Sequence, residues 1–423
     1  MENQERGIIK IKPVYIGIHH YRDVYGSVCS DDVEGTPPIE APSEEELREK
    51  TQVITEEFRK KTDTLGFVEI EKPFIIKEHE DFRKLPALVT CDTDAFLVGN
   101  LGNVYLEMRT LSQYNVPIIR GDAGEAYLRA LRVHKYIKQS KFLYIGEIPS
   151  FSAPNGPYDF DELEERLGVR VRHIETNEFY RWFDRFSDED VKEELDIWRK
   201  DFDEVVEPDE HALMDAARVY MALRYLCRRE DANGLTVNCG RFTEERPVVP
   251  CLAFNRLIDE GIICGCEGDI TAMLSSLIIH AVSGQPMLMG NFGSHEGAFE
   301  AGKGEVTIEH DIIPVSMART GFRIRDYHGR GFGVTGYAEI KREAMTLLNV
   351  DPSLEAMSVV QGRIKSSEDG IHCRIIIRMS VDGDIHQVPS VIMGSRHVSM
   401  TFGTWLDSLK KYGEIAGMEV RCL

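Results

Sequence analysis

The residues best suited to chemistry in this chain are Glu267 and Asp269 of the run Cys266-Glu267-Gly268-Asp269, followed at a distance by Asn291 and His310. Carboxylates, an amide and an imidazole on one rim could converge on one small ligand or ion. A carboxylate beside a bound carbonyl compound can also carry a proton from one carbon to the next. Asp269 has a structural reading as well, because it stands where a helix N-cap belongs. Glu267 is favoured electrostatically at the same helix start.

These residues have recognisable positions. Gly261-Ile262-Ile263-Cys264-Gly265-Cys266 is short and apolar, as a buried parallel strand is. Beyond it, Ile270, Met273, Leu274, Leu277, Ile278, Ala281 and Val282 recur at helical spacing, which predicts a strongly amphipathic helix ended by Gly284 and Pro286. Met287 to Gly290 reads as a second strand, parallel and adjacent to the first, so that Glu267 and Asn291 meet at neighbouring strand ends. A third strand, Val306 to Ile308, leads into Glu309-His310-Asp311 at a similar edge.

The whole chain has 423 residues, 42% hydrophobic and 29% charged, which suits a multidomain globular protein. Its 71 acidic and 50 basic residues give a formal charge of −21, opposed to binding nucleic acid or anionic lipid. The polar start lacks a signal-peptide pattern and no apolar run has membrane-spanning length, so the expected location is cytoplasmic. The nine cysteines form no CxxC pair, and Cys264 and Cys266 read as small apolar strand residues.

An α/β fold is predicted: two Rossmann-like parallel-sheet domains, 1–150 and 151–301, then a β-rich, barrel-like domain, 302–423. In the first, strands are expected at Pro13–Ile18, Gly66–Ile70, Ala87–Thr90, Val116–Ile119 and Phe142–Ile145, with helices at Ser43–Thr62 and Glu125–Gln139. In the second, helices are expected at Asp159–Leu167 and Asp209–Arg228, with strands at Val169–Ile174 and Leu235–Asn238. The third should hold strands at Met357–Ile364, Ile371–Ser380 and Ile385–Met393. Asp382-Gly383 between the last two signals a hairpin. A helix near Thr404–Tyr412 and a strand at Met418–Leu423 close the chain.

Pro250 to Ala318, with its Glu-Gly-Asp motif, Gly284-Gln285-Pro286, Ile308-Glu309-His310 and Pro314 to Ala318, resembles the L-fucose isomerase and L-arabinose isomerase superfamily. Gly394 to Gly403 resembles that family's closing histidine motif. The resemblance implies a manganese-dependent aldose–ketose isomerase acting on a small sugar, a pentose, 6-deoxyhexose or modified hexose, through an enediol. It implies a homo-oligomer, trimeric or hexameric, with sites near subunit interfaces. Glu267 then maps to a metal ligand active in proton transfer, and His397 and His310 map to further ligands, with Co²⁺ or Mg²⁺ as alternatives to Mn²⁺. Where fucose isomerases carry an aspartate this chain has Asn291, a neutral ligand.

Further substrate-contact candidates are His19, His20 and Arg22 after the first strand, His295 and Glu296 after a glycine-rich turn, and Arg396 beside the closing histidine. Arg319, Arg323, Arg325 and Arg330 make a basic island that reads either as a half-exposed strand face or as a receptor for an anionic group on the sugar. Gly329 to Gly333 reads as a turn rather than a dinucleotide loop. Two other functions use similar residues: metal-assisted epimerisation or aldol cleavage, and sugar binding without catalysis.

Overall fold

The structure is a computed structural model; it describes residues 6–17, 43–77, 79–89, 92–99, 104–149, 156–293, 299–300, 304–392 and 397–423. The chain divides into two compact units, Gly7–Lys135 and the stretch from Tyr136 to Leu423 together with Met1–Arg6.

The first unit is built on a wholly parallel sheet of β1 (Ile9–Ile16), β2 (Val68–Ile70), β3 (Phe74–Ile76), β4 (Thr93–Val98) and β5 (Ile118–Arg120). Strand β1 lies between β4 and the β2/β3 edge. The Glu44–Thr62 helix starts where expected, because Ser43 and Glu46 form a reciprocal capping box. Ala87–Thr90, expected as a strand, is instead preceded by and partly included in a helical turn, Leu85–Leu88. Pro86 at its start fits the first helical turn, where no amide donor is needed, and the strand begins later at Thr93.

The second unit opens with another parallel sheet, in the order β10 (Ile263–Gly265), β9 (Gly234–Val237), β6 (Lys141–Ile145), β7 (Arg170–Ile174). The remaining strands are mostly antiparallel. Strand β11 (Leu288–Phe292) pairs with β19 (His397–Phe402), then follow β16 (Ala344–Val350), β17 (Ala356–Asp369), β18 (Ile375–Val381) and β13 (Glu305–His310). Pairing of β11 with β13 closes these six strands into an antiparallel barrel. Gly290 permits that closure, since a Cβ there would stand 2.5 Å from Ile308 Cγ2. Strands β8 (Phe202–Val205), β14 (Phe322–Arg325) and β15 (Thr335–Tyr337) form a small separate sheet.

Two expectations fail here for one physical reason. The segment Met287–Gly290 does not return to the parallel sheet beside β10; β11 belongs to the barrel, between β19 and β13. The Ile270–Ser283 helix therefore links sheet to barrel, packing on β9 and β10 as well as on β16 and β19. Such a helix is covered all round, and every residue except His280 is buried, so it is not amphipathic in the way its stripe suggests. Its polar positions bond into the barrel: Ser276 Oγ lies 2.8 Å from Ser399 Oγ, and Ser275 Oγ accepts from Val350 N at 2.9 Å.

The expected hairpin at Asp382-Gly383 is also absent. Asp384 caps a following turn by accepting from His386 N, and Ile385–Val391 is helical. Among the described residues no helix is long and apolar enough to cross a membrane.

Candidate metal and catalytic site

Glu267 follows β10 in a turn whose backbone is unusual. Both Glu267 (φ 60°) and Gly268 (φ 64°) occupy the left-handed region, which costs a glutamate energy that glycine escapes. Gly268 N donates to Val237 O at 2.9 Å, tying the turn to the neighbouring strand. A side chain at position 268 would stand 2.5 Å from the Tyr144 hydroxyl. The strained turn leaves the Glu267 side chain 49% exposed, while its neighbours point inward.

Asp269 is the N-cap of the Ile270–Ser283 helix and is fully buried. One oxygen accepts from Ala272 N at 2.8 Å and Thr271 Oγ1 at 2.7 Å; the other accepts from His397 Nδ1 at 2.7 Å. A carboxylate only accepts, so Nδ1 carries the proton and His397 presents its Nε2 lone pair to the other side. That nitrogen lies 3.7 Å from Glu267 Oε2.

The barrel register supplies the rest. Asn291 on β11 stands opposite His397 of β19 on one side and opposite Glu309 of β13 on the other. His310, the last residue of β13, has its ring centroid 5.7 Å from that of His397. One donor atom each from Glu267, His310 and His397 lies within 4.8 Å of the others. Burial, then the neighbouring His397, pushes the His310 imidazole down to about 4, so it is neutral near pH 7, as a ligand must be. Asn291 Oδ1 and His310 Nδ1 are buried and have no hydrogen-bond partner among the described residues. Orphaned acceptors beside a carboxylate and two imidazoles fit a divalent cation.

Glu267, Asn291 and His310 line a cavity of about 230 Å³ together with Asp311, Tyr327 and His328. It is a small-molecule volume rather than a macromolecular cleft. Its walls also carry thiols, among them Cys239 and Cys266, whose sulfurs are 3.0 Å apart.

His19, His20, Arg22, His295, Glu296 and Arg396 fall outside the described residues. Three arginines of the basic island are paired with carboxylates: Arg323 with Glu204 and Asp369, Arg325 with Glu207 and Asp369, and Arg319 with Glu339. The half-exposed strand face is thus the reading that holds for Phe322–Arg325. His280 bonds to Gln285 O through Nδ1. Sequence reasoning passed over His328 and Cys373, which line the cavity from a glycine-rich turn and from the approach to β18. Their only sequence signal is residue type.

Comparison with known proteins matches the region that carries part of this site. Residues 159–284 match the family model of the L-arabinose isomerase central domain. Over 194 residues the chain is 23% identical to proteins called sulfoquinovose isomerase in Priestia aryabhattai and in Priestia megaterium (strain ATCC 12872 / QMB1551). Those matches cover 45% of this chain and 39% of each relative's length. The matched central region carries the Glu267 turn and the Asp269-capped helix, and these matches support the resemblance to the L-fucose isomerase and L-arabinose isomerase superfamily.

Proposed function

We propose that the protein is a divalent-metal-dependent aldose–ketose isomerase acting on a pentose, 6-deoxyhexose or modified hexose. The observation that carries this reading is the convergence of Glu267, His310 and His397, drawn from a sheet loop and two barrel strands, to within 4.8 Å of one another beside a small cavity that Glu267 and His310 line.

Isomerisation moves a proton between C1 and C2 of the open-chain sugar, with negative charge developing on a carbonyl oxygen. A divalent ion, Mn²⁺ for preference and Co²⁺ or Mg²⁺ otherwise, supplies Lewis acidity that stabilises that charge when held by Glu267, His310 and His397, with Asn291 as neutral fourth donor. Glu267 is the proton carrier in this reading: it is the half-exposed carboxylate of the set and has an oxygen free to face a ligand in the cavity. His397 stays in one tautomer because Asp269 holds its Nδ1 proton. Asp269, fully buried, positions His397 and touches no substrate. His310, neutral and buried, adds a ligand without adding charge. The relatives' name, sulfoquinovose isomerase, supports a modified hexose within the substrate class. A homo-oligomer, trimeric or hexameric, and a cytoplasmic location are parts of the same proposal.

The test is a panel of aldoses incubated in D₂O with Mn²⁺-loaded protein and followed by NMR. Ketose formation, or deuterium entering at C1 or C2, is expected. A panel without isomerisation or exchange overturns the proposal.

A further inference from the structure

The cavity has a second group of donors. One atom each from Asp311, His328 and Cys373 lies within 4.8 Å of the other two, on the wall shared with Glu267 and His310. The three come from separate stretches. Asp311 directly follows β13, His328 sits in the turn Tyr327–Gly329, and Cys373 precedes β18. Asp311 and Cys373 are 3% and 7% exposed, so neither is a surface group that meets the others by chance.

The scaffold holds this arrangement firmly. His328 takes a left-handed backbone (φ 55°), its ring stacks on Tyr327 at 3.9 Å, and it meets Asp311 Oδ2 at 2.7 Å. The turn is fixed from below by a buried ion pair between Arg374 and Asp326, whose other oxygen accepts from Gly331 N at 2.6 Å. Arg374 also donates its backbone N–H to Asp311 Oδ1 at 2.9 Å. One residue thus anchors the carboxylate, the turn and the position next to Cys373.

Asn291 gives a second, independent indication. Its side chain neighbours the Cys373 sulfur. Its Oδ1 is without a partner among the described residues, which leaves the amide N–H as the group available to sulfur. An N–H donor favours a thiolate, whereas a carboxylate at position 291 would repel one.

We infer that Asp311, His328 and Cys373 form a second cation site, beside the Glu267–His310–His397 site and distinct from it, that takes a borderline divalent ion such as Zn²⁺ or Co²⁺ with Cys373 as thiolate. A sulfur, nitrogen and oxygen set is softer than the carboxylate and imidazole set next to it, so the two sites sort ions by type. A cysteine binds such an ion only as its thiolate, so the ion displaces the thiol proton on binding. One proton, that of the Cys373 thiol, is released to solvent for each ion bound.

The experiment is a titration of Mn²⁺-loaded protein with Co²⁺ alone. One Co²⁺ per chain is expected, with a thiolate-to-cobalt charge-transfer band and release of one proton. Cys373→Ser should abolish the band while bound Mn²⁺ persists by electron paramagnetic resonance. His328→Ala should weaken Co²⁺ binding by roughly 100-fold or more, beyond the effect of losing a group that merely supports a ligand. Asn291→Asp should weaken it by about 10-fold. Should Cys373→Ser not fold, protection of Cys373 from alkylation by Co²⁺ in the unaltered protein, mapped on peptides, decides the question in its place. Absence of the band and of that protection overturns the inference, and so does a band lost in Cys239→Ser or Cys266→Ser but kept in Cys373→Ser. The site does not depend on the isomerase reading: Glu267→Gln should keep the cobalt band even where it loses Mn²⁺.

Discussion

Replacing Asp269 by asparagine tests the proposed metal site through a residue that never meets the substrate. Asp269 accepts three hydrogen bonds, two that cap the helix and one from His397 Nδ1. An asparagine keeps both cap bonds by leaving its oxygen toward Thr271 and Ala272. Its NH₂ then faces His397 Nδ1, which must become the acceptor. The proton moves to Nε2, the nitrogen facing Glu267, and the ligand lone pair is lost. Charge-assisted bonds are about twice as strong as neutral ones, so the variant should lose roughly 1–2 kcal/mol of stability, with the helix cap kept. Mn²⁺ affinity should fall further, by about 10–100-fold, as it does when a group that orients a metal-bound histidine is removed. Competition with a fluorescent chelator measures the affinity, and urea unfolding in excess chelator measures the stability. Asp269→Ser is the control, because serine is a competent cap that cannot reach His397. An Asp269→Asn protein with Mn²⁺ affinity within about twofold of the unaltered protein would show Asp269 to be only a helix cap, against the outer-sphere role assigned to it.

Glu267→Gln should leave the fold intact and cut deuterium exchange at C1 or C2 by about 10²- to 10⁴-fold, read by NMR. Glu267→Gly should abolish exchange yet raise the urea midpoint by the equivalent of about 1 kcal/mol, because glycine accepts φ 60° without strain. Gly268→Ala meets the Tyr144 hydroxyl and a φ of 64°, and should cost roughly 1–3 kcal/mol in thermal unfolding, with partial recovery in the Gly268→Ala/Tyr144→Phe double variant. In chelated protein, burial, and then the neighbouring His397 and His328, hold His310 at about 4 against its ordinary 6.5, outweighing the opposite pull of Asp311 and Glu267. The unfolded chain therefore takes up a proton that the folded one refuses. This contribution to stability is whole above pH 6.5 and is lost as pH falls toward 4, by roughly 3 kcal/mol in all, and His310→Gln should flatten the loss in unfolding measured across that window.

Much of the local structure is legible in the residues themselves. Ser43 with Glu46, Asp159 and Asp209 announce helix starts, and each caps the helix that follows. The apolar runs at Phe142–Ile145 and Ile263–Gly265 read as buried parallel strands because no alternation is needed when both faces are covered. Errors arise where a local signal has two outcomes. Asp382-Gly383 suits a hairpin, yet Asp384 two positions later also suits a cap, and the cap prevails because the next strand, β19, is taken up by β16 and β11. Met287–Gly290 is strand-like whichever sheet receives it, since its apolar pattern does not name a partner.

The sequence alone determined which donors were on hand and where along the chain they sat: a carboxylate at a strand-to-helix turn, a capping aspartate beside it, histidines near two later strands. Residue type and short-range periodicity suffice for that, because capping and helix or strand formation act over a few residues. Tertiary structure alone decided that β11 leaves the parallel sheet, that its closure against β13 seats Asn291 between His397 and Glu309, and that Asp269 reaches across the chain to hold His397. It alone gathered Asp311, His328 and Cys373 into one group. Those contacts join residues far apart in sequence, and they depend on register and barrel closure, which no local pattern encodes.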